Sequence, residues 1–334
     1  MTSPTSLLGL FLLAVGTTAA CGPLTPEELA DDQVAASLPA LIDSCRGAPY
    51  PIVLAHGMAG WDKVGPVNYF FNVAADLRAR GETVVESQVP PFESSAVRGS
   101  YLAAAIDNTL KTTGACKVNL IAHSQGGLDG RYVVSTLHYG SRVASLTTVS
   151  TPHLGTPIAD AALGLVPGVS AVVIDAILEF LYGSLAHSPG DAHIRASLQQ
   201  FTRDNMSKNF NLGNRNDPQV KYYSVAGRSA TRVAAAECAG GLWTNSSRID
   251  LLDPLLVLPA TVFSLTSPNP FVPTPSDGLV AVESARWGTF LGCVPADHLD
   301  EIGQLVHLLP DAVSGFNHKD LYRRIVDQLH HDGL

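Results

Sequence analysis

The sequence has few charged side chains, and the basic ones are the scarcer kind. Only 15% of the 334 residues are charged, 21 Lys and Arg stand against 30 Asp and Glu, and the formal net charge is −9. Nucleic-acid binding requires clustered Lys and Arg, and no basic run occurs in the chain. The sequence therefore predicts no nucleic-acid partner. It also lacks an internal repeat, which argues against a solenoid or a propeller.

The N-terminal region lacks a run long enough to cross a bilayer. Residues 7–15 are apolar but too few to span it, and small residues follow them up to Cys21. This pattern is typical of an export signal at residues 1–21, although the segment before the apolar run has no Lys or Arg. The tetrapeptide at 19–22 also resembles a bacterial lipoprotein cleavage site, in which Cys21 would carry lipid and anchor the protein to a membrane. A disordered apolar leader on a cytosolic protein is the alternative, and residues 22–48 are interpreted as an N-terminal lead-in.

The five cysteines lack the spacing of a zinc site. If Cys21 is removed or lipidated, four remain, an even number that suits two disulfides in an exported protein. Four cysteines allow three pairings. We favour Cys45–Cys116, because each comes shortly before a predicted strand, and this choice leaves Cys238–Cys293. Free buried thiols are the alternative.

Short uncharged runs alternate with segments of helical periodicity. Strands are predicted at 51–55, 83–85, 118–121, 146–150 and 220–227, and helices at 68–80, 96–112, from about 125 to 138, and at 193–210. This alternation predicts a doubly wound, mostly parallel α/β sheet with right-handed crossovers. Residues 49–334 are accordingly assigned to one α/β domain, with a long excursion at 228–276.

The strongest chemical signal lies at residues 118–134. An apolar strand leads into Ala122-His123-Ser124-Gln125-Gly126, and a helical segment follows. Such a strand, tight turn and helix are typical of a nucleophile elbow, in which the serine lies at the tip of a strained turn. We expect Ala122 and Gly126 to be small because they crowd one another. The turn directs the Gln125 N–H and the positive helix end toward the serine, which favours an oxyanion. A chance match is the alternative.

Loops that follow parallel strands carry the chemistry of α/β sheets. The loop after the first predicted strand begins His56-Gly57-Met58, and we expect the Met58 N–H to be the second oxyanion donor. An ordinary turn is the alternative. His153 follows the strand at 146–150, and chain order favours a wall or hydrogen-bonding role for it over that of a catalytic base.

A nucleophilic serine requires a base, and the base requires an orienting carboxylate. Both are expected after the serine, in the order acid then histidine. Asp277 lies in an Asp-Gly turn that ends the excursion, and His298 follows it. Other histidines compete with His298 for the role of base: His307, His318, His330 and His331. We favour Ser124, Asp277 and His298 as the catalytic residues; a simple turn is the alternative for Asp277.

Residues 171–182 form an apolar helical stretch between segments rich in Pro and Gly. At helical spacing its two acids, Asp175 and Glu179, fall on one stripe. The flanking segments suit a mobile lid at about 158–187 that covers a pocket and opens at a lipid surface. A plain core helix is the alternative.

Five segments together resemble the bacterial secreted true lipases of the Pseudomonas and Burkholderia type, which are α/β-hydrolases that cleave triacylglycerols. They are residues 51–60, 117–134, 150–158, 276–280 and 298–304. The resemblance implies an α/β-hydrolase fold with a helical lid insertion and no cofactor for the chemistry. It implies these site residues: Ser124 as nucleophile, Asp277 as acid, His298 as base, and the Met58 and Gln125 N–H groups as the oxyanion hole.

The resemblance also implies a structural Ca²⁺ near the histidine loop. The matching ligands are Asp300, Asp253 and the carbonyls of Gln304 and Leu308, a set that suits a hard cation. Solvated and helix-capping acids are the alternative. Many members of the family also depend on a folding chaperone, which would be a further partner.

We therefore expect a secreted or outer-surface carboxylic ester hydrolase, foremost a triacylglycerol lipase, that acts on lipid or ester substrates at an interface. A carboxylesterase, a polyester depolymerase or an acyltransferase would use the same triad. A non-catalytic surface protein of the same fold, binding lipid or a protein partner, is the alternative from another class.

Overall fold

The computed structural model describes residues 45–58, 63–64, 67–182, 192–229, 238–239, 241–242, 248, 250–269, 271–304 and 314–334. These residues belong to one compact unit, Cys45–Leu334. The predicted export signal, Cys21 and the lead-in up to residue 44 lie outside the described residues, as do His307 and Leu308. Within the described ranges, no helix combines the length and the apolar character needed to cross a bilayer.

Six parallel strands form the central sheet, in the order β4-β1-β5-β6-β7-β8. Their bounds are Ile52–Ala55 (β1), Val84–Glu86 (β4), Val118–His123 (β5), Val143–Val149 (β6), Lys221–Gly227 (β7) and Thr289–Val294 (β8). The strands β2 (Lys63–Val64) and β3 (Val67–Asn68) pair separately as an antiparallel ribbon. The strand order reverses between β1 and β5, and the crevice at such a switch point is where open α/β sheets bind ligands.

Helices cover the sheet, so β1, β5 and β6 are buried along their whole lengths. This burial explains why these strands are uncharged and not alternating in polarity. The α-helices within the described ranges are α1 (Val73–Ala79), α2 (Ser95–Thr113), α3 (Gln125–Ser135), α4 (Pro157–Ala162), α5 (Ala171–Tyr182), α6 (Ala192–Gln199), α7 (Arg203–Asn205), α8 (Asn211–Gly213), α9 (Pro254–Leu265), α10 (Val282–Ala285) and α11 (His318–His331). The predicted doubly wound parallel sheet is confirmed.

Two predicted helices have different bounds. The helix predicted at 68–80 begins only at Val73, because Asn68 pairs in β3 and Asn72 takes a left-handed conformation with φ of 56°. The helix predicted at 193–210 is interrupted after Gln199. Thr202 begins a new helix there, since its side chain accepts a hydrogen bond from the Asn205 N–H.

Both favoured disulfides are present, Cys45–Cys116 and Cys238–Cys293. The first joins the segments just before β1 and β5, where Arg46 and Ala115 also form a parallel bridge. The second ties the excursion at 228–276 to β8. Each bond closes a long loop of chain, which restricts the unfolded state and stabilises the fold.

Candidate active site

Ser124 occupies a strained turn between β5 and α3. Its φ of 54° and ψ of −128° lie in a region that residues with a side chain rarely adopt, at a cost of about 1–3 kcal/mol. Two residues later, Gly126 lies closest to the end of β1, and its crowding against Ala122 stays a prediction. A Cβ on Gly126 would lie 2.4 Å from the Ala55 carbonyl oxygen and 2.8 Å from that of His56. Gly126 is therefore needed so that α3 can approach the end of β1.

The loop after β1 lies directly against the serine. A Cβ on Gly57 would lie 2.7 Å from the Ser124 Cβ, so no side chain fits between them. Met58 follows and lines the same cavity as Ser124. Gln125 is the first residue of α3, where backbone N–H groups have no partner within the helix. The oxyanion roles of Met58 and Gln125 stay predictions, with both residues placed next to Ser124.

Asp277 and His298 form a buried hydrogen-bonded pair. The distance from His298 Nδ1 to Asp277 Oδ2 is 2.7 Å, and the backbone N–H of His298 donates to the Asp277 carbonyl. The other carboxylate oxygen of Asp277 accepts hydrogen bonds from the N–H groups of Leu279 and Val280, at 2.9 and 2.7 Å. Asp277 is fully buried, so these bonds fix the carboxylate and through it the imidazole.

A cavity of about 480 Å³ brings the serine and the histidine together. Ser124 and His298 both line it, and its remaining walls are mostly apolar side chains from α5, α9 and the loop after β8. A smaller recess of about 50 Å³ shares Met58, Ser124 and His298 with it. Among the described residues, no hydrogen bond joins the Ser124 hydroxyl to the imidazole; such bonds often form only when substrate is bound.

A second buried network lies behind His298, and the sequence did not predict it. The His123 ring lies 4.4 Å from that of His298, centroid to centroid. Its Nδ1 is 2.8 Å from the Tyr69 hydroxyl and its Nε2 is 3.0 Å from Glu301 Oε2. The Ser150 hydroxyl donates to the other Glu301 oxygen.

Burial shifts the proton equilibria of this network. It lowers the pKa of His123 well below its usual value, and the neighbouring His298 lowers it further. It raises the pKa of Glu301 well above its usual value, and the Asp277 charge adds to this effect. Both shifts favour uncharged side chains behind His298. The only feature of the sequence that indicated this network is the position of His123 directly before the serine.

Three buried aspartates cluster near the histidine loop. Oxygens of Asp250, Asp297 and Asp300 lie within 4.8 Å of one another. The predicted pair was Asp253 and Asp300, whereas the structure brings Asp300 together with Asp250 and Asp297. Asp253 borders the cluster: its N–H donates to Asp297 Oδ2 at 2.7 Å, and its side chain caps α9 by accepting from the Leu255 N–H.

The cluster is electrostatically costly without a cation. Burial raises the pKa of Asp300 to about 9, and the nearby Asp297 and Asp250 carboxylates contribute. Burial also raises the pKa of Asp297. Several carboxylate oxygens within a few ångströms are the donors that Ca²⁺ prefers, so the residues present fit the implied ion. The Gln304 side chain donates to the Asn68 and Tyr69 carbonyls, and the ligand role of the Gln304 backbone carbonyl stays a prediction.

His153 lies away from the cavity. It is fully buried, its Nε2 is 3.0 Å from the Thr148 hydroxyl, and its ring stacks on Trp287 at 5.0 Å. Burial and the Arg131 charge hold its pKa well below the usual value. These contacts give His153 a packing and hydrogen-bonding role.

Comparison with known proteins identifies the family of the fold. The profile of the alpha/beta hydrolase fold matches residues 50–219. A triacylglycerol lipase from Vibrio cholerae is 34% identical over 308 residues, covering 85% of this chain and 89% of that protein. A triacylglycerol lipase from Burkholderia plantarii is 40% identical over 111 residues, or 32% of this chain and 30% of that protein.

A solved structure shares the fold. The crystal structure of Staphylococcus hyicus lipase matches with a TM-score of 0.58 at 19% identity, covering 84% of this chain and 95% of that one. Together with the profile match and the Vibrio relative, this confirms the resemblance to bacterial lipases. The chain belongs to the alpha/beta hydrolase family.

Proposed function

We propose that the chain is an exported triacylglycerol lipase that cleaves esters through Ser124, His298 and Asp277. The observation that carries the proposal is the buried Asp277–His298 pair, joined at 2.7 Å, in the wall of a cavity that Ser124 also lines. The relatives named triacylglycerol lipases support the substrate class.

The hydrogen bonds of His298 determine which of its ring nitrogens can act in ester hydrolysis. Because His298 Nδ1 is bound to Asp277, Nε2 is the nitrogen left to take the Ser124 proton as the oxygen attacks the ester carbonyl. The Met58 and Gln125 N–H groups stabilise the oxyanion that develops. His298 then gives the proton to the departing alcohol. Water, activated by the same imidazole, releases the fatty acid from the acyl-serine.

The walls of the cavity suit a long acyl chain delivered from a lipid surface. Leu255 and Leu258 of α9 line the cavity and are nevertheless 54% and 43% exposed, so they form its rim. Residues 254–276 contain no charged side chain. Phe180 and Leu181 of α5, which packs against α9, also line the cavity. The proposed lid function of α5 follows from this position.

Calcium would have a structural role. Asp250, Asp297 and Asp300 would hold the ion, and its charge would offset the repulsion among them beside the His298 loop. Export is supported by the two disulfides, which persist in oxidising compartments. Lipid on Cys21 and a folding chaperone stay predictions from the sequence.

Labelling with a serine-directed fluorophosphonate tests the nucleophile. We expect the wild-type protein to be labelled and Ser124→Ala to be unlabelled, with the same melting temperature and ester turnover reduced at least about 10³-fold. Ser207→Ala, at an exposed serine, is the control and should be labelled like the wild type. An unlabelled wild type would favour the non-catalytic alternative. Rates on soluble short esters, emulsified long-chain triacylglycerols and polymeric esters distinguish a lipase from an esterase or a depolymerase.

A further inference from the structure

Arg98 in the first turn of α2 is fully buried. Arginine is almost never fully buried unless it is paired, because a guanidinium loses its hydration when it leaves water. The groups that replace the lost hydration of Arg98 therefore indicate why this position holds a cation.

The guanidinium donates hydrogen bonds to the loop after β1. Its Nη2 donates to the carbonyls of His56 at 2.6 Å and Gly57 at 3.2 Å, and its Nη1 donates to the Pro90 carbonyl at 2.8 Å. The Gly57 carbonyl also lies 2.8 Å from His56 Nδ1. Burial, followed by the Arg98 charge, lowers the pKa of His56 to about 4, so the ring is neutral. Two groups thus hold the Gly57 carbonyl in one direction.

The direction of that carbonyl sets the direction of the next N–H. In a trans peptide the carbonyl oxygen and the following N–H point to opposite sides of the chain. Because the Gly57 carbonyl points toward Arg98, the Met58 N–H points away from it. Ser124 lies close to the same peptide, since a Cβ on Gly57 would be 3.2 Å from the Ser124 hydroxyl oxygen.

The same guanidinium holds the helix that follows the serine. Arg98 Nε donates to Asp129 Oδ2 at 2.7 Å, and Asp129 is also buried. Asp129 lies one turn after Gln125 in α3, so the two residues share a face of the helix. A helical turn is rigid, and the contact at Asp129 therefore fixes the start of α3, where the Gln125 N–H lies.

We propose that Arg98 is a positioning residue that sets the separation and relative orientation of the two oxyanion donors, the N–H groups of Met58 and Gln125. This inference rests on the proposed function, which assigns those N–H groups to the oxyanion. Donors that are misplaced stabilise the transition state less while leaving ground-state binding almost unchanged. If the Arg98–Asp129 ion pair served only to join α2 to α3, its loss would lower the stability of the protein and leave the kcat of each folded molecule unchanged.

Arg98→Lys tests the proposal. Lysine keeps the positive charge but is a point charge that cannot span the two carbonyls and Asp129 together. Loss of a whole oxyanion donor costs about 10²–10³ in kcat, so partial displacement is expected to lower kcat on a soluble short-chain ester about 10–100-fold with KM changed less than about twofold. The affinity for butylboronic acid should fall by a similar factor. Its boron accepts the Ser124 oxygen and places a hydroxyl oxygen where the oxyanion would lie.

Arg131→Lys is the matched control. Arg131 is also buried, lies on α3, and donates to Asn211 and to the Asn214 carbonyl, at 2.7 Å each. It makes no contact with the loop after β1 within the described residues. We expect this variant to melt at a lower temperature and to keep the wild-type kcat and boronate affinity.

A double variant, Arg98→Met with Asp129→Leu, removes both charges and leaves no unpaired one in the interior. We expect it to fold and to keep the low kcat of Arg98→Lys. Wild-type values of kcat and boronate affinity in either Arg98 variant would overturn the proposal, as would an equal loss in Arg131→Lys. Failure of the proposed function would look different, because the wild-type protein itself would then show neither ester turnover nor fluorophosphonate labelling.

Discussion

Gly57→Ala is expected to disable the site while leaving the fold intact. The added Cβ would lie 2.7 Å from the Ser124 Cβ and 2.6 Å from the Tyr69 hydroxyl oxygen. Carbon atoms in ordinary contact lie about 3.5–4.0 Å apart, so the serine has to move by roughly 1 Å. The backbone of Gly57 has no positive φ that would itself exclude alanine. The effect therefore falls on the nucleophile and on the Tyr69 hydroxyl beside it.

The size of the effect follows from this displacement. Overpacking of this kind costs about 1–3 kcal/mol, and each kcal/mol lowers the melting temperature of a large domain by about 2–4 °C. A misplacement of about 1 Å at a reacting group costs about 10²-fold in rate. We therefore expect kcat/KM to fall about 100-fold in a protein that is still folded at room temperature.

The assay compares hydrolysis of p-nitrophenyl butyrate with thermal melting of the same preparation. Gly213→Ala is the control, because a Cβ at Gly213 meets no atom within 4 Å and its backbone needs no positive φ. It should match the wild type in both measurements. A Gly57→Ala protein with kcat/KM within about threefold of the wild type and an unchanged melting temperature would refute the placement of this loop against the serine.

Two further outcomes are expected. Deletion of residues 172–182 should sharply reduce activity on emulsified long-chain esters and spare soluble short ones, whereas equal loss on both would remove the lid interpretation of α5. The raised pKa of Asp300, about 9, means that the folded protein without calcium holds a proton that the unfolded chain releases. In chelator the free energy of unfolding should therefore fall as the pH rises from about 4 to about 9, by at most about 1.4 kcal/mol per pH unit for the one proton that the cluster holds. When measured by urea denaturation, the free energy of unfolding of Asp300→Asn should fall less with rising pH than that of the wild type. A fall as steep as that of the wild type would contradict the raised pKa of Asp300.

The sequence predicted the sheet well where the strands are buried on both faces. β1, β5 and β6 are short uncharged runs, and β7 is such a run apart from Lys221 at its start; runs of this kind are recognisable without knowledge of their neighbours. β8 was not predicted, since Thr289–Val294 contains a glycine and follows directly after Gly288. Its position in the sheet depends on pairing with β7, which is a long-range contact.

The polar interior was harder to predict, as α2 illustrates. In this helix the apolar Val97 is 41% exposed, whereas the charged Arg98 is fully buried. A charged residue enters the interior only because partners from distant segments meet it there, here the loop after β1 and Asp129. Glu301 and Asp250 escaped prediction for the same reason. Ser124, Asp277 and His298 were easier, because turn chemistry and chain order constrain each of them.

The position of the disulfide between Cys45 and Cys116 has a practical consequence for immobilising the protein. It sits where β1 and β5 begin, whereas Met58 and Ser124 follow the ends of these same strands. Parallel strands start along one border of a sheet and finish along the other. Cys45 therefore lies at the border of the sheet remote from the reacting groups. A bead, an affinity handle or a cell-surface tether attached beside Cys45 would be held at that border, away from Met58 and Ser124.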